Sequence, residues 1–77
     1  MQLIIDIGNT LIKYYVFDEG VILDSYHDPL ENWSLSLQKI KKEFPKLKSA
    51  IISDVNGSFI NELQEALVPL PFVNCSI

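Results

Sequence analysis

The 77-residue chain contains no arginine. Its positive charge is six lysines, set against ten Asp plus Glu for a net charge of −4. A nucleic-acid surface ordinarily needs a basic stripe in which arginine takes a large share, so that partner class is excluded. Phosphoryl-transfer sites also use arginine often, which sets a tension that the motifs below must meet. One cysteine, Cys75, cannot form an internal disulfide. The disulfide framework of a small secreted domain is therefore absent, and a reducing cytoplasm is the expected location. The opening MQLIIDIGNT has no basic n-region and its apolar run breaks at Asp6, so it does not read as a signal peptide. Nothing approaches the ~20 apolar residues of a membrane span, and no membrane partner is expected. With three Gly, four Pro and 48% hydrophobic residues, disorder and low complexity are excluded too. One small domain is the upper bound, and a chain of this size buries only about 60% of its unfolded surface.

What is present is strongly patterned. Residues 2–7, QLIIDI, read as a buried strand. Gly8-Asn9 then predicts a two-residue hairpin turn. Residues 11–18, LIKYYVFD, form a second strand, Glu19-Gly20 turns the chain, and residues 21–27, VILDSYH, form a third. After Asp28-Pro29, Trp33, Leu37, Ile40 and Phe44 recur at helical spacing. Asn32 or Ser34 can cap that helix, and Lys39, Lys41 and Lys42 suit its C-terminal end. Residues 48–55 predict another buried strand. Asn56-Gly57-Ser58 predicts a turn, and Phe59, Leu63, Ala66 and Leu67 a second helix stopped by Pro69 and Pro71. Residues 70–77 begin a last strand. The order is β-β-β-α-β-α-β, an α/β chain. Met1 directly before a strand suggests a natural start, and the apolar strand at the other end suggests a fragment of a longer protein.

Asp6-Ile7-Gly8-Asn9-Thr10 is the stretch richest in chemistry. An Asp at the end of a buried strand stands at the mouth of a sheet. Gly8 is expected to turn with positive φ and to let a ligand approach the backbone. Successive amides in such a turn can form an anion-binding nest, which the Thr10 hydroxyl and Asn9 amide would supplement. Asp6 can take Mg²⁺ through retained waters, and Lys13 on the next strand can bring positive charge to the same mouth. The plain alternative is a hairpin whose Asp and Thr satisfy local backbone groups.

These residues resemble the opening of type III pantothenate kinases, in the sugar-kinase, actin and ATP-dependent chaperone superfamily. That family begins with a hydrophobic strand, Asp-x-Gly-Asn-Thr, a Lys three residues after the Thr, and an aromatic strand closing at an acidic-Gly turn. Here these are Asp6, Gly8, Asn9, Thr10, Lys13, Phe17 and Glu19-Gly20. A second landmark, a strand running into Ser-Val-Val-Pro, matches at Ser53 and Val55 and departs at Asp54 and Asn56.

The resemblance implies a ribonuclease H-like, actin-like ATPase half domain. Its sheet is mixed, of order 3-2-1-4-5, and incomplete at the C-terminus, with residues 1–77 as the N-terminal part of the first domain. It implies ATP-dependent phosphorylation of pantothenate, the first step toward coenzyme A. ATP, Mg²⁺ and a monovalent cation (K⁺ or NH₄⁺) would be the cofactors, and a homodimer or self-associating fragment the assembly. Asp6, Gly8, Asn9, Thr10 and Lys13 would bind the nucleotide phosphates, Asp6 the metal, and Ser53 would border the cleft. The family's catalytic Gly-x-Asp-Arg motif has no counterpart in a chain without arginine, so no catalytic residue is assigned and the chain alone should be inactive. An actin-like regulatory homologue without kinase activity is the alternative.

His27 lacks metal-ligand company and reads as a surface or turn residue, and Cys75 reads as a small core residue rather than a nucleophile. Trp33 and Phe44 read as core, and one of Tyr14 and Tyr15 should be buried while the other faces away.

Overall fold

A computed structural model describes residues 1–54, 60–68 and 70–75, with the backbone alone for Ile60 and residues 72–75. Strands β1 (Gln2–Ile7), β2 (Leu11–Asp18) and β3 (Val21–Pro29) form an antiparallel meander. A 3₁₀ turn over Leu30–Asn32 leads into helix α1 (Trp33–Glu43). Strand β4 (Ser49–Asp54), helix α2 (Ile60–Leu67) and strand β5 (Phe72–Cys75) complete the described chain. The five-stranded sheet has the order β3-β2-β1-β4-β5. It is mixed, because β4 runs parallel to β1 and β5 parallel to β4.

Both parallel crossovers step the same way across the sheet, from β3 over β2 and β1 to β4, and from β4 to β5. The right-handed rule for such connections then sends α1 and α2 to the same face. Burial agrees. Leu3, Ile5, Ile7, Ile12, Tyr14, Val16, Ala50 and Ile52 are buried with Leu37 and Ile40 of α1 and Leu63 and Leu67 of α2. Period-two alternation puts the other set on the opposite face. Gln2, Leu11 and Lys13 are exposed there, and Ile4, Asp6, Tyr15, Phe17, Ile51 and Ser53 half-buried.

Tyr14 brings a polar tip into the described core, and α1 satisfies it. Its hydroxyl lies 2.7 Å from Ser36 Oγ and 3.0 Å from the Trp33 carbonyl oxygen. Ser36 Oγ in turn lies 3.2 Å and 3.1 Å from the Asn32 and Trp33 carbonyls. Two hydroxyl protons thus serve three acceptors and tie β2 to the first turn of α1. Burial, against the help of Ser36 and with the charge of Asp28, pushes the Tyr14 hydroxyl up to about 12.

Three expectations need correction. Strand β3 runs on to Pro29, because Leu11 and Ile12 pair with Pro29 and Asp28. A proline that owes no ladder bond is tolerated on an edge strand. Asn32 is the N-cap of α1 but makes no side-chain cap bond, and Ser34 lies inside the helix. The 3₁₀ turn ahead of it carries the chain into the helix, so no Asx cap is required. Lys39 stands before the last turn, which holds Lys41 and Lys42; Lys41 Nζ donates to the Ala66 carbonyl at 2.8 Å, linking α1 to α2. Trp33 and Phe44 are half-buried against the core. The Asn56-Gly57-Ser58 turn lies outside the described residues, as does the Cys75 side chain.

The outer edge of β3 has two irregularities. The register shifts against Val16/Phe17, leaving Leu23 without a partner in the ladder. One residue further, Asp24 Oδ1 accepts the Ser25 backbone N–H at 2.9 Å. The Tyr26 hydroxyl lies 2.9 Å from Asp24 Oδ2 and 3.0 Å from Glu43 Oε2. Burial, and then these two carboxylates, raise that hydroxyl above the ordinary phenol value.

Candidate phosphate-binding loop

Asp6 stands near the C-terminal end of β1. It is paired with Lys13 of β2 on one side and Ser53 of β4 on the other. Residues directly opposite in a ladder share a face, with Cβ atoms ~4.5–5.5 Å apart. Asp6, Lys13 and Ser53 therefore form one polar row on the open face. Lys13 takes part in no ion pair among the described residues, where the Met1 amine pairs with Asp18 at 3.6 Å.

The loop joining β1 to β2 is tight. The Gly8 N–H donates to the Leu11 carbonyl at 2.9 Å, so Asn9 and Thr10 are the central residues of the turn. The expected centre, Gly8-Asn9, is thus displaced by one residue. Gly8 also lacks the positive φ expected of it. Among the described residues that conformation falls to Glu19 and Gly20, at 53° and 79°. Two consecutive left-handed residues make the β2–β3 turn the primed hairpin type. At Gly8 the need for glycine is space: a Cβ there would lie 3.3 Å from the Leu11 carbonyl oxygen. A second bond, Leu30 N–H to the Thr10 carbonyl at 2.9 Å, anchors the loop to the 3₁₀ turn.

Around this loop lies an open depression of about 230 Å³, lined by Asp6, Gly8, Asn9, Thr10, Leu11 and Lys13. All five residues singled out in the sequence meet there. Leu11 joins them without having been singled out; as the exposed first residue of β2 it gave no polar signal. Ser53 does not line the depression but stands one strand away, beside Asp6. Sites that enclose a small molecule measure ~300–1,000 Å³. This one is smaller and open, the size of a wall that meets an anion. A larger cavity, about 460 Å³, lies at the other end of the sheet among Met1, Gln2, Ile4, Phe17, Asp18, Glu19, Gly20 and Lys48. Position outweighs volume in choosing between them. Ligands of open α/β sheets sit outside the carboxyl ends of the parallel strands, and β1 and β4 end at the loop.

The donor set suits an oxyanion accompanied by a hard cation. Lys13 supplies positive charge and Thr10 a hydroxyl. Gly8 lines the depression, and its lack of a Cβ keeps the Leu11 carbonyl uncrowded within the turn. Among the described residues no three His, Cys, Asp or Glu cluster to form a metal cage. A lone carboxylate such as Asp6 instead fits Mg²⁺ that keeps its waters and takes further oxygens from phosphate.

No family model matches the sequence. The chain is 31% identical, over 86 aligned residues, to a type III pantothenate kinase of Christiangramia forsetii. The match takes in 96% of this chain and 35% of that kinase. The chain thus spans about a third of the length of the relative it matches. The resemblance drawn from the Asp6–Lys13 motif holds along nearly the whole chain. No helix among the described residues is long and apolar enough to cross a membrane.

Proposed function

We propose, from this likeness to a type III pantothenate kinase, that the chain forms the first phosphate-binding wall of such an enzyme. It would be the N-terminal part of an actin-like ATPase domain, and the observed β3-β2-β1-β4-β5 order with both helices on one face supports a ribonuclease H-like half. The observation that carries the reading is the loop itself. Asp6, Gly8, Asn9, Thr10 and Lys13 converge on one depression at the carboxyl end of β1.

In this reading the loop backbone and Thr10 receive the phosphates of ATP, and Lys13 offsets their charge from the neighbouring strand. Mg²⁺ brought with the nucleotide would neutralise phosphate charge, and Asp6 would hold it through its waters. Ser53 borders the cleft beside Asp6. The acceptor is the pantothenate hydroxyl, and the setting is a cytoplasmic homodimer that also uses a monovalent cation. Phosphoryl transfer needs positioning and charge stabilisation from several sides. One wall without arginine binds phosphate and does not catalyse.

The test is a titration of the ¹⁵N-labelled chain with ATP and Mg²⁺, followed at the Gly8, Asn9 and Thr10 amides. These amides shift and saturate in the native chain and stay still in the Asp6→Ala variant. The native chain with ATP and pantothenate releases no ADP. Loop amides that stay still at millimolar MgATP refute the reading.

A further inference from the structure

The loop depression does not stop at Lys13. A second open depression of about 360 Å³ adjoins it, lined by Leu11, Lys13, Tyr15, Ser25, Tyr26 and His27. The two share Leu11 and Lys13. Lys13 is paired with Asp6 on one side and with His27 of β3 on the other, so Asp6, Lys13 and His27 continue a single row across the open face. Two strand spacings of about 4.8 Å set His27 on the order of 10 Å from Asp6. The neighbouring row pairs Tyr15 with Ser25. Tyr15 and Leu11 give the depression an apolar floor, and Ser25 and His27 are exposed at its side. No carboxylate lines it, which is notable in a chain of net charge −4.

We infer that this second depression is an oxyanion subsite continuous with the loop. Lys13 and His27 hold the outer phosphate of a polyphosphate chain whose other end lies on the loop amides. The inference rests on the phosphate-binding reading of the loop and adds a residue to it. Imidazole donates an N–H whether neutral or protonated, the Lys13 ammonium has three donors, and the Ser25 hydroxyl adds one. Asp6 stands on the far side of Lys13. An anion beside His27 therefore meets the cation before the carboxylate, whereas an anion beside Asp6 needs a divalent ion between them. The row also measures length. Orthophosphate is too short to touch both the loop and His27, and a chain of three phosphates reaches.

The experiment titrates the ¹⁵N-labelled chain with orthophosphate and, separately, with inorganic tripolyphosphate, each with Mg²⁺. The Gly8 and Asn9 amides report the loop, and the His27 ring reports the subsite. Orthophosphate is expected to move the amides alone, and tripolyphosphate to move both. His27→Ala then weakens tripolyphosphate about three- to tenfold, in the range of one lost exposed hydrogen bond, and leaves orthophosphate unchanged. His27→Gln, which keeps an N–H, recovers part of the loss. A His27 ring that stays still while the amides follow tripolyphosphate overturns the subsite and leaves the loop reading standing. Amides and ring both silent toward both anions overturn the two together.

Discussion

The two faces of the sheet carry different kinds of information. The helix-covered face is apolar at nearly every position and closes around Leu37, Ile40, Leu63 and Leu67. On the open face, apolar Ile4, Tyr15, Phe17 and Ile51 lie below a polar row of Asp6, Lys13, His27 and Ser53. One face holds the chain together, and the other presents chemistry at its loop end. Stability and binding should therefore separate by residue parity along a single strand.

Adjacent residues of β1 give the largest test. Ile5 is fully buried and Ile4, next to it, half-buried on the other face. Ile5→Ala should cost about 2–5 kcal/mol, from lost burial and the cavity left behind. Ile4→Ala should cost under about 1.5 kcal/mol by the same area logic. Urea unfolding of the two variants measures the difference, and equal losses would break the two-face description.

Alkali probes the covered face next. The Tyr14 hydroxyl is pushed up to about 12 in the folded chain from the ordinary 10.0. The folded state therefore holds this proton more tightly than the unfolded state. The stabilisation is fully present below pH 10 and is lost as pH rises toward 12, by about 2–3 kcal/mol at ~1.4 kcal/mol per unit. Urea midpoints taken between pH 9 and pH 12 should fall in the native chain, and that fall should shrink in Tyr14→Phe.

At neutral pH, Tyr14→Phe itself should cost about 1–3 kcal/mol, because the buried Ser36 hydroxyl loses its neighbour on β2. The turns give a finer contrast. Gly20→Ala meets no atom but must adopt a φ of 79°, whereas Gly8→Ala keeps its φ and crowds the Leu11 carbonyl at 3.3 Å. Gly20→Ala should cost about 1–2 kcal/mol of stability. Gly8→Ala should cost less, because a small shift of the Leu11 carbonyl relieves the contact, and the same urea unfolding reads both. Lys13→Ala, on the open face, should change stability by no more than about 0.5 kcal/mol while weakening phosphate binding. A Lys13→Ala chain that melts like Ile5→Ala would show that the polar row is structural.

Much of this was legible from the chain. The short β-branched and aromatic runs at 2–7 and 11–18, and the Trp33, Leu37, Ile40, Phe44 spacing, gave β1, β2 and α1 close to their observed bounds. The candidate loop was legible because its polar residues are crowded into one turn. What could not be read depends on distant partners. The extension of β3 to Pro29 follows from pairing with Leu11, and the irregularity at Leu23 from the register against Phe17. Gly8-Asn9 suggested a left-handed turn, but the bond from Gly8 to Leu11 moves the turn onto Asn9 and Thr10. His27 reads as bland in sequence because its pairing with Lys13 lies across the ladder and not among its sequence neighbours.

The bond from the Ser25 N–H to its own neighbour Asp24 gives the sheet a direction of growth. A side chain that occupies an edge donor, next to a strand irregularity, removes part of the template on which another strand would assemble. The β3 margin is in this sense finished from within. Any strand added to this sheet, from whatever source, should join beside β5, on the side of β1 and β4 away from the Lys13–His27 row. The row would then remain at the rim, open to small anions however far the sheet extends.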